Sequence, residues 1–472
     1  MQAVETRQPL RVAVIGSGPS AFYAAEDLLR SDAAKVEVDM FERLPMPFGL
    51  VRYGVAPDHQ KIKEVTRAFE KTARDPRFRF FGGVGYGRDV WLEDLRKHYD
   101  AVVFGTGAQA DRRMGIPGED LEGSHSATAF VAWYNGHPDY RDMQFDLSSE
   151  RAIVVGVGNV ALDVARILSL SKEELLRTDI PDYAVAALLK SRVREVHVIG
   201  RRGPAQAAFS APELKEFGEI AEASVHTLPE EVRLDARSRH DAEMAEDPAL
   251  MRRLEILQSY AEPAREKKTR RVYLRFLLSP LELIEDGNGR VSAARLGRNT
   301  LERTEGGSLA ARATGEEMQM DTGLVLRAVG YKGTEILGLP FDNATGVVPN
   351  IGGRVMDPES GDQVPGIYVT GWIKRGPTGV IGTNKPDAAE TVENLVADLV
   401  AGGGFAPEEA SAQASLALVA QRQPDFVSFG EWKTIDRLER ERGRRNGKPR
   451  VKFTSAAELK AALAEARSGT AA

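Results

Sequence analysis

The chain has 472 residues, 42% apolar and 28% charged, with a formal net charge of −6. That length supports two or three domains with full cores, and the acidic balance argues against a nucleic-acid partner. Cysteine is absent, which excludes a disulfide, a redox pair or an iron–sulfur cluster on this chain, so any electrons must travel on a bound organic cofactor.

The polar stretch over residues 1–9 shows neither a signal nor a transit pattern, and no apolar run is long enough to span a bilayer. A cytoplasmic protein without a membrane partner is expected. The seven histidines have no metal-ligand spacing.

The first element is an apolar, β-branched run, Arg11 to Ile15. It enters the turn Gly16-Ser17-Gly18-Pro19-Ser20-Ala21 and leaves as a helix to about Arg30. This is the strand–turn–helix of a dinucleotide-binding unit. Gly16 permits the turn, Gly18 lets the backbone approach a pyrophosphate, and Ala21 lets the helix pack on the strand. The helix N-terminus faces the phosphates. A second strand over 35–41 ends at Glu42, 21 residues after Ala21. A carboxylate there suits free ribose hydroxyls, as in FAD or NAD, not NADP.

Pro45 to His59 is a loop rich in Pro, Gly and apolar residues, either packed under something or lining a pocket. His59 heads a helical stretch over 60–74 and is either structural or catalytic. Strands follow over 79–84 and 101–104. The second runs into Gly105-Thr106-Gly107-Ala108, a close approach to a cofactor or a crossing between domains.

A turn over 116–120 and a helix over 127–134 precede a second glycine motif, Gly156-Val157-Gly158-Asn159-Val160-Ala161. A helix to Leu170 and a helical insertion over 171–191 lead to a strand over 195–200 that ends in Arg201-Arg202. Two cations where an NAD site places an acid match a ribose 2′-phosphate, so NADP is expected here. Ser210 reads as a helix cap. Glu213 either closes a capping box with it or faces the nicotinamide.

Residues 230–271 are charged and helical, ending in Arg265, Lys267, Lys268, Arg270 and Arg271. That cluster is either a solvated loop or a docking patch for an acidic partner. A β-meander is expected from 272 to 297, with a weaker strand near Glu317. Residues 324–331 echo the strand that ends at Gly105. The stretches 105–108 and 327–330 are therefore the expected crossings, with one domain inserted in the other. A strand over 366–372 leads into a glycine-rich loop over 373–385, before a helix over 388–401. Such a loop again implies backbone close to a ligand. The tail from 404 is helical and partly basic.

The segments GSGPSAFYAA (16–25), PFGLVRYGVAPDH (47–59), GVGNVALDVARIL (156–168), GRRGPAQAAF (200–209) and GWIKRGPTGVIGTNK (371–385) occur in order. On these segments the chain resembles the adrenodoxin-reductase-type ferredoxin–NADP⁺ reductases over nearly its full length. Wider two-dinucleotide flavoproteins end the last strand with Gly-Asp; Gly371-Trp372 agrees with the narrower family.

The resemblance implies an α/β fold of two Rossmann-like dinucleotide-binding domains. An FAD domain of residues 1–108 and 328–472 is interrupted by an NADP domain over 109–327. Gly16, Gly18, Pro19, Ser20 and Ala21 are implied to hold the FAD pyrophosphate, and Glu42 the ribose. Leu50 and Val84 flank FAD, while Trp372, Gly379, Val380 and Ile381 contact its flavin end. Asn159, Val160, Ala161 and Leu162 approach the NADP pyrophosphate, and Arg201 and Arg202 hold the 2′-phosphate. Glu213 and Gly379 approach the nicotinamide end, and His59 matches a histidine near the active site.

The implied activity is hydride transfer between NADPH and FAD, coupled to single-electron exchange with a ferredoxin-type iron–sulfur protein. An NADPH-dependent flavin monooxygenase or oxidase, and a non-enzymatic redox sensor, stay open on sequence grounds.

Overall fold

A computed structural model describes residues 9–262 and 268–469. Two sheets organise it. The first has seven strands, in the order Asn350–Ile351, Arg354–Met356, Gln363–Val369, Ala101–Phe104, Leu10–Ile15, Val36–Glu42, Phe78–Gly82. Its central strand pairs in parallel on both sides, with Ile15 opposite Phe41 and Phe104. A strand covered on both faces needs a continuous apolar run rather than an alternating one. Val12, Ala13 and Val14 meet that need and are fully buried. The charge buried in this sheet is compensated. Asp39 accepts from Arg11 at 2.7 Å and from the Tyr99 hydroxyl at 2.6 Å, and it also pairs with Arg79.

The second sheet has six strands: Ser124–Ser126, Leu324–Arg327, Arg151–Val155, Glu195–Ile199, Arg270–Arg275 and Ala223–Thr227. Every pairing in it is parallel. Beside it lies an antiparallel meander, Leu278–Glu285, Val291–Arg303 and Leu309–Asp321. Its last strand is longer than the sequence pattern suggests, because most of its residues are exposed and carry no apolar alternation. Between the two sheets the chain passes twice, and the passing strands Ala110–Asp111 and Tyr331–Lys332 pair antiparallel with each other.

The expected helix over 60–74 is broken into Gln60–Lys63 and Thr66–Thr72. The Thr66 hydroxyl donates to the Lys63 carbonyl at 2.8 Å, taking an acceptor the helix needs to continue. The strand expected over 79–84 is Phe78–Gly82, which leaves Val84 in the loop beyond it.

The tail returns to the first sheet through the helix Phe429–Arg445, which buries Trp432. Glu439 on that helix takes both guanidinium arms of Arg52, at 3.0 and 2.6 Å. The tail also reaches the second unit. Lys452 donates to the Asn135 carbonyl at 2.9 Å, and Lys448 to Asp182 at 2.7 Å. No helix among the described residues is long and apolar enough to cross a membrane.

Candidate nucleotide and redox site

Both glycine turns have the same construction. Gly16 sits at φ +101°, and a Cβ there would lie 2.6 Å from the Gly105 carbonyl oxygen. Gly156 sits at φ +135°, with a Cβ 2.2 Å from the Ala328 carbonyl oxygen. Each turn is therefore closed on one side by a crossing strand, and a side chain at either glycine is excluded. Gly18 and Gly158 are the opposite case, since a Cβ on either meets nothing within 4 Å. That open space lies at the starts of the helices Pro19–Arg30 and Asn159–Ser169, neither capped by a side chain. Uncapped N–H groups and the positive end of the helix dipole suit an anionic ligand at each turn.

Other loops close over the first turn. The Gly49 Cα–H side faces Gly18, where an added Cβ would stand 3.0 Å from the Gly18 Cα. Gly371, at φ +76°, leaves no room for a Cβ beside the Ser20 side chain. Asp387 holds it there by accepting the Gly371 N–H at 2.5 Å. Trp372 lies 5.3 Å from the Tyr331 ring and donates its indole N–H to the Thr378 carbonyl at 3.2 Å. Gly379 and Val380 are exposed, Ile381 is half-buried, Leu50 is at the surface, and Val84 is fully buried.

Glu42 is more committed than its position alone suggests. One carboxylate oxygen accepts the Ser17 N–H at 3.1 Å and the Ser17 hydroxyl at 2.6 Å. The other accepts the Leu44 N–H at 2.9 Å. Burial raises its pKa against the lowering effect of these bonds. A carboxylate has about four acceptor positions, so one remains for a ribose hydroxyl. Ties to the turn are thus a second role of Glu42.

At the second turn, Ala161 and Leu162 are fully buried and Val160 is half-buried. The Ala161 and Leu162 N–H groups donate to the Gly158 carbonyl at 3.0 and 3.3 Å. Arg201 and Arg202 are exposed, and neither guanidinium has a carboxylate partner among the described residues. Beside them is a cavity of about 360 Å³, lined also by Ser279, Asn299 and Ser308.

Ser210 caps its helix by accepting the Glu213 N–H at 3.4 Å. The capping box is not closed, because the Ser210 N–H donates to Asn159 Oδ1 at 3.0 Å. Glu213 instead turns toward His59, 3.7 Å from its Nε2, while Glu216 lies 3.3 Å from the same nitrogen.

Three charged groups that the sequence reading missed complete this cluster. Arg166 donates to Asp58 at 2.7 and 3.2 Å and to Asp163 at 2.7 Å, and stands 3.8 Å from Glu213. Burial opposes the Arg166 charge, yet Asp163 and Asp58 outweigh it and raise its pKa. Burial raises the Asp163 and Glu213 carboxyls, while for Asp58 the Arg166 charge wins and lowers the pKa. One signal for Arg166 was available. Asp163 and Arg166 stand three residues apart on a helix whose neighbouring positions Ala161, Leu162, Ala165 and Ile167 are all buried. A charged pair inside an apolar face requires partners elsewhere.

Of the basic cluster at 265–271, Lys268, Arg270 and Arg271 are among the described residues. Arg265 and Lys267 lie outside the described residues. Lys268 donates to the Ile220 carbonyl at 2.6 Å, Arg270 to those of Ser169 and Leu170, and Arg271 to Glu195 at 2.6 Å. Arg271 pairs in register with Glu195, at the start of its strand. Lys268, Arg270 and Arg271 therefore sit at the end of the sheet opposite the Gly156 and Arg201 turns.

Residues 10–223 match the model of the pyridine nucleotide-disulphide oxidoreductase family. A Mycobacterium tuberculosis protein named NADPH-ferredoxin reductase FprA is 46% identical over 461 residues, 96% of this chain and 98% of that one. An Arabidopsis thaliana protein named mitochondrial NADPH:adrenodoxin oxidoreductase is 41% identical over 467 residues, 97% of this chain and 96% of that one. The structure of Mycobacterium tuberculosis FprA in complex with NADPH superposes with a TM-score of 0.90 at 45% identity, over 97% of this chain and 100% of that one.

Proposed function

We propose how this chain works as an enzyme of the family to which it belongs, the NADPH-dependent ferredoxin and adrenodoxin reductases. It is an oxidoreductase that exchanges electrons between NADPH and an iron–sulfur protein, with FAD as its cofactor. Bound FAD supplies two-electron exchange with a nicotinamide and one-electron exchange with a metal cluster. Everything else is positioning and electrostatics from the chain's own residues.

The residues fit a dinucleotide at each turn, because the space above Gly18 and Gly158 is open and each adjoining helix start is uncapped. In this reading residues 1–108 and 328–472 form the FAD-binding unit, and 109–327 the NADP-binding unit. Gly16 to Ala21 hold the FAD pyrophosphate and Glu42 its ribose. Leu50 and Val84 flank FAD, and Trp372 and Gly379 to Ile381 contact its flavin end. Asn159, Val160, Ala161 and Leu162 approach the NADP pyrophosphate, with the N–H groups of Asn159 and Val160 facing it because those of Ala161 and Leu162 donate to the Gly158 carbonyl, and Arg201 and Arg202 take the 2′-phosphate. His59 and Glu213 stand at the meeting of the two units. There they orient the nicotinamide and hold a proton at His59 Nε2 or the Glu213 carboxylate, with Arg166 fixing the local charge.

The partner is an iron–sulfur protein. We do not seat it on Lys268, Arg270 and Arg271, because Arg271 is paired with Glu195 and all three lie at the end of the sheet away from the nucleotide turns. Cytoplasmic location is part of the proposal, and cell fractionation tests it.

The observation that carries the NADP assignment is the pair of guanidiniums without carboxylate partners beside a cavity. Anaerobic titration of the flavin spectrum tests it. NADPH should bleach the bands at far lower concentration than NADH, and Arg201→Ala with Arg202→Ala should erase the difference. Equal potency of NADPH and NADH in the unsubstituted enzyme would overturn the 2′-phosphate assignment.

A further inference from the structure

The loop that carries Arg201 and Arg202 lies between the strand Glu195–Ile199 and the short turn Pro204–Gln206. Two exposed guanidiniums on an irregular segment can meet an anion in fixed geometry only if their backbone is fixed first, since otherwise binding must also order the loop. The antiparallel meander fixes it from the side. Asn299, on the strand Val291–Arg303 and 9% exposed, donates its side-chain N–H to the Arg201 carbonyl at 3.0 Å and to Ser279 Oγ at 2.8 Å. The Leu277 N–H donates to the Arg202 carbonyl at 3.1 Å. The Asn299 N–H in turn donates to the Leu277 carbonyl at 2.8 Å.

Leu277 has φ +57°, a left-handed conformation that a bulky residue adopts only where its surroundings dictate it. Strand pairing also shifts register beside Asn299, between Gly297 and Asn299. The irregularity in the meander and the strained leucine meet at the residue that holds both arginine carbonyls, one directly and one through Leu277.

We propose that Asn299 is a positioning residue for cofactor selectivity. It clips the Arg201–Arg202 backbone to the meander and presents both guanidiniums to the 2′-phosphate. The proposal rests on the reading of the arginine pair given above. It adds that NADPH preference is set partly by a residue about a hundred positions downstream, in an element outside the nucleotide-binding sheet.

The test uses the holoenzyme with Asn299→Ala and the neutral, similar-sized Asn299→Leu, which keeps the volume and loses the donor. The first readout is calorimetric titration with adenosine 2′,5′-bisphosphate. The second is KM and kcat for NADPH and NADH with a dye acceptor. Each variant should weaken the bisphosphate roughly fivefold, the size of one lost hydrogen bond. KM for NADPH should rise by a similar factor while kcat, and KM for NADH, stay put. In the Arg201→Ala, Arg202→Ala background neither substitution should shift the bisphosphate further. A shift that persists there, equal losses with NADH and NADPH, or no loss at all would each overturn the proposal. Should Asn299→Ala fail to fold, Asn299→Leu carries the same comparison. If the arginine double variant itself keeps full NADPH preference, it is the 2′-phosphate reading that fails, a result distinct from the failure of the clip.

Discussion

Asp179→Asn is the most informative single perturbation of the contact between the two units. Asp179 comes from the second unit, and its side chain is only 1% exposed. It binds Lys63 of the first unit at 2.9 Å and faces Lys452 of the tail at 3.5 Å. Burial raises its pKa, but the two lysines outweigh that and lower it; burial lowers both lysines. Removing the carboxylate charge leaves two buried ammonium groups without their shared counter-ion, with only the weaker pull of Asp58 on Lys63. Breaking a buried pair in this way costs about 3–5 kcal/mol. At about 2–4 °C per kcal/mol, thermal unfolding should begin roughly 10 °C lower.

The pH dependence has a definite sign. In the unsubstituted protein Asp179 stabilises the fold above the ordinary carboxylate pKa, and that contribution is lost as pH falls through its lowered folded value. In the variant only the lysines remain. Their folded pKa values lie below the unfolded value of about 10.4, so the folded chain binds fewer protons and stability rises with pH across that window. The deficit should shrink as pH rises toward the unfolded value of about 10.4 and the lysines discharge. Thermal scans at one heating rate, followed by near-ultraviolet circular dichroism, measure both effects. A drop below about 2 °C, or a deficit that widens with pH, would refute the reasoning.

Gly18→Ala should fold normally, since a Cβ there meets nothing within 4 Å, yet purify with much less FAD by visible absorbance. Full flavin content would show that the open space is not a ligand's. For Glu213, whose carboxyl burial pushes above the usual range, a pH profile of anaerobic flavin reduction should contain an ionisation above the ordinary carboxylate value. That ionisation should vanish in Glu213→Gln; its survival would assign it to another group. Charge reversal at Arg271 should change the ferredoxin-dependent rate less than about twofold, because Arg271 is bound to Glu195 and lies away from the nucleotide turns. A tenfold loss would restore the basic run as the docking seat.

The two glycine turns were legible because what they need is local. A positive φ at Gly16 and Gly156 and a missing Cβ at Gly18 and Gly158 are properties of single positions that follow a buried strand. The placement of Arg201 and Arg202 just past the strand Glu195–Ile199 was legible by the same counting along one unit. Asp58 was not, because it stands more than a hundred residues from Arg166 and meets it only when the units pack, whereas the Asp163–Arg166 pair gave a local signal that went unread. The two readings of Glu213 had one local pattern, and the choice fell to Asn159, far upstream, which takes the Ser210 N–H that a capping box needs. Charge at 265–271 was visible in the composition, but which end of a parallel sheet it occupies depends on the register of Arg271 with Glu195.

Why the contact between units is charged bears on function. Lys63, Asp179 and Lys452 could be replaced by apolar residues of similar size, and buried ion sets often lose little stability by such a swap, or gain some. An apolar contact, however, tolerates small slides, whereas the Lys63–Asp179 pair and the Lys452 bond to the Asn135 carbonyl are satisfied in one arrangement only. Hydride transfer demands reacting atoms about 3–3.5 Å apart, and a misplacement near 1 Å costs about a hundredfold in rate. Replacing the trio by Met, Leu and Met should therefore leave unfolding temperature unchanged or higher while slowing anaerobic flavin reduction by NADPH. Retention of the full rate would show that the apolar contact alone fixes the two units, and that the buried charges do not serve orientation.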